Sequence, residues 1–198
     1  MLANPATVAA RLVAALGVER IAWMEQVHGI AVAVVDDPHM PPPQADAVVT
    51  RRRGLALGVL VADCTPVLAA DPAAGVIGVA HAGRKGLALG VVPALLEAMA
   101  REGATEVIAR VGPSVCGRCY PVPSDMQEEV TRAVPGARST ARDGSPSLEI
   151  AAGVVDQLTA AGAAVDWLPE CSAESPDLFS YRRDAGVTGR YAGLVWMP

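Results

Sequence analysis

Asn4-Pro5 ahead of ATVAARLVAALG reads as a capped helix with proline in its first turn, closed by Gly17. The pattern then turns strand-like. IAWMEQVHG and IAVAVVDD read as two strands around a turn at Gly29. PHMPPPQ (38–44), with three consecutive prolines, is expected to be a rigid, extended loop. Strands are expected at 46–50, 55–62, 66–70 and 75–81, each bounded by Gly, Pro or Asp.

Helical spacing returns in LALGVVPALLEAMARE (87–102), where Pro93 marks a kink or a late helix start. EVIARVG (106–112) reads as a strand, 124–134 and 147–161 as helices, AVDWLP as a short strand and TGRYAGLVWMP as a last strand. There is no repeat and no linker long enough to divide the chain, so residues 1–198 read as one domain. The strands cluster early and do not alternate regularly with helices. That favours an α+β fold with a mixed sheet over a doubly wound parallel one.

Composition narrows the picture. Apolar residues make up 52% of the chain but few are aromatic, so the core is built from small branched side chains. A net charge of −5 speaks against a general nucleic-acid binder, and Arg51-Arg52-Arg53 reads as a solvated turn. The greasiest stretch, 54–81, is interrupted by Asp63, Pro66 and Asp71. A charge in mid-membrane costs roughly 3 kcal/mol, so buried strands are expected there and no membrane span. The start MLANPATVAARLV lacks a signal-peptide pattern, and a cytoplasmic protein is expected.

The candidate chemistry sits at strand ends. His28 and His81 each precede a glycine-containing turn, and Cys64 precedes the Thr65-Pro66 break. Two imidazoles and a thiolate make a three-ligand zinc set with a position left for water or substrate. Their wide spacing equally suits a small buried cysteine and two hydrogen-bonded turn histidines. His39, in the proline-rich loop, reads as exposed and idle. Cys116 and Cys119 form a C-x-x-C pair, a redox dithiol or half a zinc site. With no second cysteine pair following, they read as unbonded structural thiols, as does Cys171. FSYRRDAGVTGR (179–190) is either a polar loop of paired charges or an anion clamp, since the guanidinium fork matches phosphate oxygens. Arg84 and Lys85, close to His81, add positive charge beside it.

Taken in order, QVHG (26–29), ADAVVT (45–50), ADCTPVLAAD (62–71), HAGRKG (81–86), GPSVCGRCYPV (112–122) and FSYRRDAGVTGR (179–190) resemble the YfiH-like, laccase-domain family. The resemblance implies a layered α-β-β-α core with mixed sheets, similar to that of bacterial deamidating toxins. It implies zinc, or copper, held by His28, Cys64 and His81. It also implies a purine nucleoside phosphorylase acting on adenosine, inosine, guanosine or methylthioadenosine, with an adenosine deaminase side activity. Cys64, His81 and Asp63 are then the candidate catalytic residues, and Gln26, Arg84, Lys85, Ser114, Arg182, Arg183 and Arg190 the phosphate- and substrate-binding ones. The expected partners are a small nucleoside and phosphate, not nucleic acid or membrane.

Three features depart from the family pattern. HAGWRG has become HAGRKG, so lysine stands where arginine is usual; the usual CCYE reads Arg118-Cys119-Tyr120-Pro121, without the glutamate. The resemblance also implies roughly forty further residues ahead of QVHG.

Two other enzyme readings remain. One is a cysteine amidase with Cys64 as nucleophile and His81 as base, editing cytoplasmic peptidoglycan precursors. The other is a copper polyphenol oxidase, which three histidines in total cannot equip with a multicopper set. A metal-binding protein without activity is the remaining alternative.

Overall fold

Which residues become strands follows from where alternation lets both faces be buried. The computed structural model describes residues 5–198, with side chains from Ala10 onward. Helix α1 (Pro5–Leu16) ends at Gly17, whose φ of 66° no branched residue adopts easily. The capping role expected of Asn4 lies outside the described residues.

A three-stranded sheet follows the order β1 (Arg20–Ala22), β4 (Leu55–Val61) and β11 (Tyr191–Trp196), the first pair parallel and the second antiparallel. A six-stranded mixed sheet holds β10 (Ala164–Trp167), β7 (Ile108–Val111), β5 (Thr65–Asp71), β6 (Val76–Ala82), β3 (Ala47–Thr50) and β2 (Val32–Val34), in that spatial order.

The two sheets stack face to face. Leu55, Leu57, Val59 and Val61 of β4 alternate inward against Val48, Ile77 and Val79 of the larger sheet. The opposite residues of β4 meet the first helix layer: Ala56 packs with Val18, Ile21 and the side chains Leu12, Val13 and Leu16. On the far face of the larger sheet lie α2 (Arg84–Leu89), α3 (Val91–Arg101), α4 (Ser124–Ala133) and α5 (Ile150–Ala160). Leu87, Leu95, Met99, Val130, Val154 and Leu158 from these helices cover Val67, Ala69, Val76 and Ala80. The result is the expected α-β-β-α stack.

Gly58 shows how tightly the outer layer fits. A Cβ there would run into the ring carbons of Trp23. Gly58→Ala is expected to push Trp23 aside and cost about 1–3 kcal/mol, read as a lower midpoint in thermal or urea unfolding.

Three elements differ from the pattern-based expectation. The segment flanking Gly29 is not a strand pair about a turn: β1 belongs to one sheet and β2 to the other. Between them the amides of Val27, His28 and Gly29 donate to the Asp46 carboxylate and not to a neighbouring strand. The 87–102 stretch is two helices, broken at Gly90 (φ 96°) and not at Pro93; the late helix start expected there is α3, which holds Pro93 in its first turn, where its missing N–H leaves no bond unmade. Residues 147–161 begin not as helix but with β9 (Pro146–Leu148), paired to β8 (Arg138–Thr140) in a hairpin. The Gln127 side-chain amide fastens that hairpin, donating to the carbonyls of Ser139 and Ser147. Among the described residues, no helix is long and apolar enough to cross a membrane.

Candidate functional site

The two sheets meet at a seam, and at one end of it the chain steps from β4 to β5 through Ala62, Asp63 and Cys64. In β6, Ile77 and Val79 face between the sheets, so the period of two aims His81 the same way at the strand's end. Val48 does likewise in β3, and Asp46, two residues earlier, shares its face.

Asp46 organises this end. It is fully buried, and its carboxylate accepts from Val27 (3.2 Å), His28 (2.9 Å) and Gly29 (2.6 Å) amides and from His81 Nδ1 (2.8 Å). Burial alone would raise its pKa; the hydrogen bonds from His81, Gly29 and His28 outweigh it and hold the carboxyl below the usual range. His81, only 3% exposed, is shifted downward by burial, against the pull of Asp46, and so is neutral near pH 7. With Nδ1–H donated to Asp46, its Nε2 is left free to ligate.

His28 completes the group from a left-handed backbone (φ 62°) that the three amide bonds to Asp46 enforce. The His28 and His81 rings stand edge to face at 4.7 Å, and Cys64 Sγ lies 4.0 Å from His28 Nε2. One donor atom from each of the three lies within 4.8 Å of the others. Gly83 keeps the space open: a Cβ there would come within 3.0 Å of His28 and 3.1 Å of Cys64 Sγ. Burial, with Asp63 and Asp46 nearby, pushes the Cys64 thiol up to about 11 despite Arg190. It becomes a thiolate at neutral pH only beside a cation such as a bound metal ion. Two imidazoles and one such thiol match a tetrahedral zinc set with one position open.

These donors open into a cavity of about 870 Å³, a size typical of small-molecule sites. Gln26, Asp63, Arg84, Arg182 and Arg190 also line it. Gln26 is committed at both ends of its amide to Leu60 (2.8 and 2.9 Å), fastening the QVHG loop to β4. Asp63 (φ 86°) accepts from Ser172 Oγ (2.7 Å) and the Arg182 amide (2.6 Å). Each of its oxygens holds one bond, so it positions the C-terminal segment while still facing the cavity. The Arg182 guanidinium sits 4.9 Å over the Tyr120 ring.

Three candidates do not reach the cavity. Lys85 is exposed on α2. Ser114 is buried in a bridge to Cys171. Arg183 donates to the carbonyls of Ser172, Ser175 and Leu178 and pairs with Asp184, which makes it a brace for its own loop. Pattern reading also overlooked residues that matter. Asp46 had a signal, a carboxylate opening an otherwise apolar strand. Tyr120 and Tyr181, both on the cavity wall, had none of their own. Strain collects here too: the non-glycine residues with left-handed φ among the described residues, His28, Asp63 and Ala185, all line this cavity.

Comparisons with known proteins agree with this fold. A sequence model of the family described as "Multi-copper polyphenol oxidoreductase laccase" matches residues 3–198. A Neisseria meningitidis protein of the DUF152 family superposes with a TM-score of 0.86 at 30% identity, over 98% of this chain and 82% of that one. Bacillus licheniformis hypothetical protein YfiH gives 0.85 at 26% identity, over 95% of this chain and 79% of that one. A Streptomyces coelicolor relative named purine nucleoside phosphorylase is 54% identical, over 92% of this chain and 78% of its own length. A Mycobacterium tuberculosis relative of the same name is 46% identical, over 98% of this chain and 81% of its own length. Match to the family along nearly its whole length, with the same fold, means that this chain belongs to the laccase-domain family of YfiH and DUF152 proteins.

Proposed function

We propose that this protein is a zinc-dependent purine nucleoside phosphorylase, its reaction taking place in the cavity beside His28, Cys64 and His81. The observation that carries this reading is the meeting of that donor set with three arginines, Arg84, Arg182 and Arg190, that line one cavity, Arg190 with one nitrogen also donating to the carbonyls of Thr188 and Gly189. The relatives' shared name agrees with it.

In phosphorolysis a phosphate oxygen bonds to C1′ of the ribose as the bond from C1′ to the purine nitrogen breaks, its electron pair leaving with the base. The chain must therefore hold an anion beside a sugar and give the base a flat, partly apolar wall. Arg84, Arg182 and Arg190 bind and orient the phosphate, with Asp63 fixing the backbone that carries Arg182. Tyr120 and Tyr181, with Met24, Leu60, Val115 and Ile150, face the nucleoside. Zinc held by His28, Cys64 and His81 supplies Lewis acidity toward an oxygen of the reactants. Such Lewis acidity would also suit a deaminase side activity, in which water replaces the amino group of adenosine and ammonia leaves.

Oxidation of polyphenols by a copper cluster fits the residues less well. His39, the remaining histidine, lies beside Arg20, with Nδ1 at 3.4 Å from its guanidinium, and does not line the cavity. That leaves donors for one ion here.

Zinc-loaded protein incubated with adenosine, with and without phosphate, tests the proposal by chromatography. Adenine and ribose 1-phosphate are expected only when phosphate is present, with a minor yield of inosine in either case. Adenosine left intact by protein carrying its zinc overturns the reading.

A further inference from the structure

A second group of donors lies outside the cavity, and nothing in the proposed reaction uses it. Cys116 and Cys119 form one pair; Cys171 and Glu174, with the same spacing, form another. Counting cysteines alone had left the first pair without a counterpart, because the fourth member is a carboxylate. The fold brings the two pairs together: one donor atom from each residue lies within 4.8 Å of the other three. A tetrahedral ion with bonds of about 2.3 Å to sulfur holds its ligands about 3.8 Å apart. The group is therefore close to a coordinating arrangement already.

Its backbone is also built for an ion. Gly117–Cys119 form a single 3-10 turn in which the Cys119 amide donates to the Cys116 carbonyl at 2.9 Å. Ser114 and Cys171 pair as a parallel bridge, with amide bonds of 3.2 and 3.0 Å joining residues 114, 170 and 172. The Cys116 amide points at Cys171 Sγ, at 3.3 Å, as amides do toward metal-bound thiolates. Glu174 Oε1 lies 3.2 Å from Cys119 Sγ and 3.7 Å from Cys116 Sγ.

Charge is provided for as well. Three thiolates and a carboxylate around a divalent ion leave a net charge of about −2. Two guanidiniums, Arg142 at 2.5 Å and Arg118 at 3.4 Å from Glu174, stand against it.

We propose that Cys116, Cys119, Cys171 and Glu174 bind a second, structural zinc ion. The four cysteines of the chain are all unbonded. A redox dithiol would need only two of these sulfurs and would give Cys171 and Glu174 no part, whereas a closed four-ligand site uses all four. The reading expected from sequence, inert structural thiols, is replaced by one in which they act together.

The position suggests what the ion does. It joins the segment carrying Val115 and Tyr120 to the segment leading into Tyr181 and Arg182, and these form two facing parts of the cavity wall. The ion would act as a clasp that keeps Arg182 over Tyr120. This inference does not depend on which reaction the cavity performs.

Metal content after zinc loading and gel filtration of the full chain under reducing conditions tests it. Two zinc ions per chain are expected for the natural sequence. One is expected for Cys64→Ser, which breaks only the cavity site, and one for the double change Cys116→Ser/Cys119→Ser. Should the double variant fail to fold, cobalt(II) titration of Cys64→Ser decides instead: a thiolate-to-cobalt absorption band saturating at one equivalent supports the clasp. Zinc should also slow alkylation of Cys116 and Cys119 about tenfold or more, as metal-bound thiolates resist modification. Cys64→Ser protein that binds neither zinc nor cobalt, with Cys116 and Cys119 alkylated equally fast with and without zinc, overturns the proposal. So does a Cys116–Cys119 disulfide that survives zinc loading under reductant.

Discussion

Asp46→Asn is expected to weaken zinc binding at the cavity by about 10–100-fold and to lower stability by about 3 kcal/mol. The change is nearly isosteric, so the cause is the pattern of donors and not volume. One carboxylate oxygen accepts from the amides of Val27 and Gly29, the other from the His28 amide and His81 Nδ1. An asparagine NH₂ placed on the first side faces two amide donors and releases the loop that carries His28. Placed on the second side it drives His81 to the other tautomer, putting a proton on the Nε2 that should bind metal. Either orientation damages the site. Zinc titration against a competing chelator, together with urea unfolding, checks both numbers; affinity within twofold of the natural protein would show that Asp46 does not position His81.

The burial of His81, acting against its bond to Asp46, predicts how the protein responds to acid. The folded pKa of His81 is below its unfolded value, so as pH falls below about 6.5 protons bind the unfolded chain first and stability declines. The depressed Asp46 carboxyl adds a further loss below about 4, as it is protonated.

Cys64→Ser is expected to reduce phosphorolysis by about 10³-fold, the effect of losing roughly 4 kcal/mol of Lewis-acid stabilisation. Serine's hydroxyl is a poorer zinc ligand and stays protonated in this buried place. Removal of zinc from the natural protein by a chelator should reach the same low rate, and added zinc should restore it. Restoration separates the two roles open to this residue. A cysteine nucleophile with His81 as base would keep working, or improve, once metal is stripped. With its thiol pushed up to about 11, metal-free Cys64 is a poor nucleophile near neutrality. Turnover unchanged by chelation, but abolished by Cys64→Ser, would move the chemistry from metal to thiol.

Legibility differed by region for physical reasons. The central strands β3 to β6 could be read closely because both of their faces are buried and their ends carry turn residues. The stretch around Gly29 could not, because a carboxylate far along the chain claims its amides. The hairpin at 138–148 carries little strand signal, since its strands are three residues each and fastened by the side chain of Gln127, and its second strand runs into the stretch 147–161 that reads as helix. The candidate metal donors in the cavity stood at strand ends inside specific motifs. The arginines were legible as a cluster, but which of them face inward is set by packing: Arg182 and Arg190 line the wall, while Arg183 turns back on its own loop. The second donor group stayed unseen since its fourth member is an acid and its halves are far apart in sequence.

The step from β4 to β5 has one more consequence. Cys64 stands on the crossing from the smaller sheet to the larger, and His81 ends a strand of the larger one. His28 is moored to both, through Gln26 to Leu60 and through Asp46 to β3. The distances among the three donors are therefore a gauge of how the sheets lie on each other. A methylene removed from Ile77, deep between the sheets, is expected to let them settle slightly and so to change the affinity of the proposed zinc site. On the proposed zinc reading, interior residues that never touch the metal thereby bear on how tightly it is held.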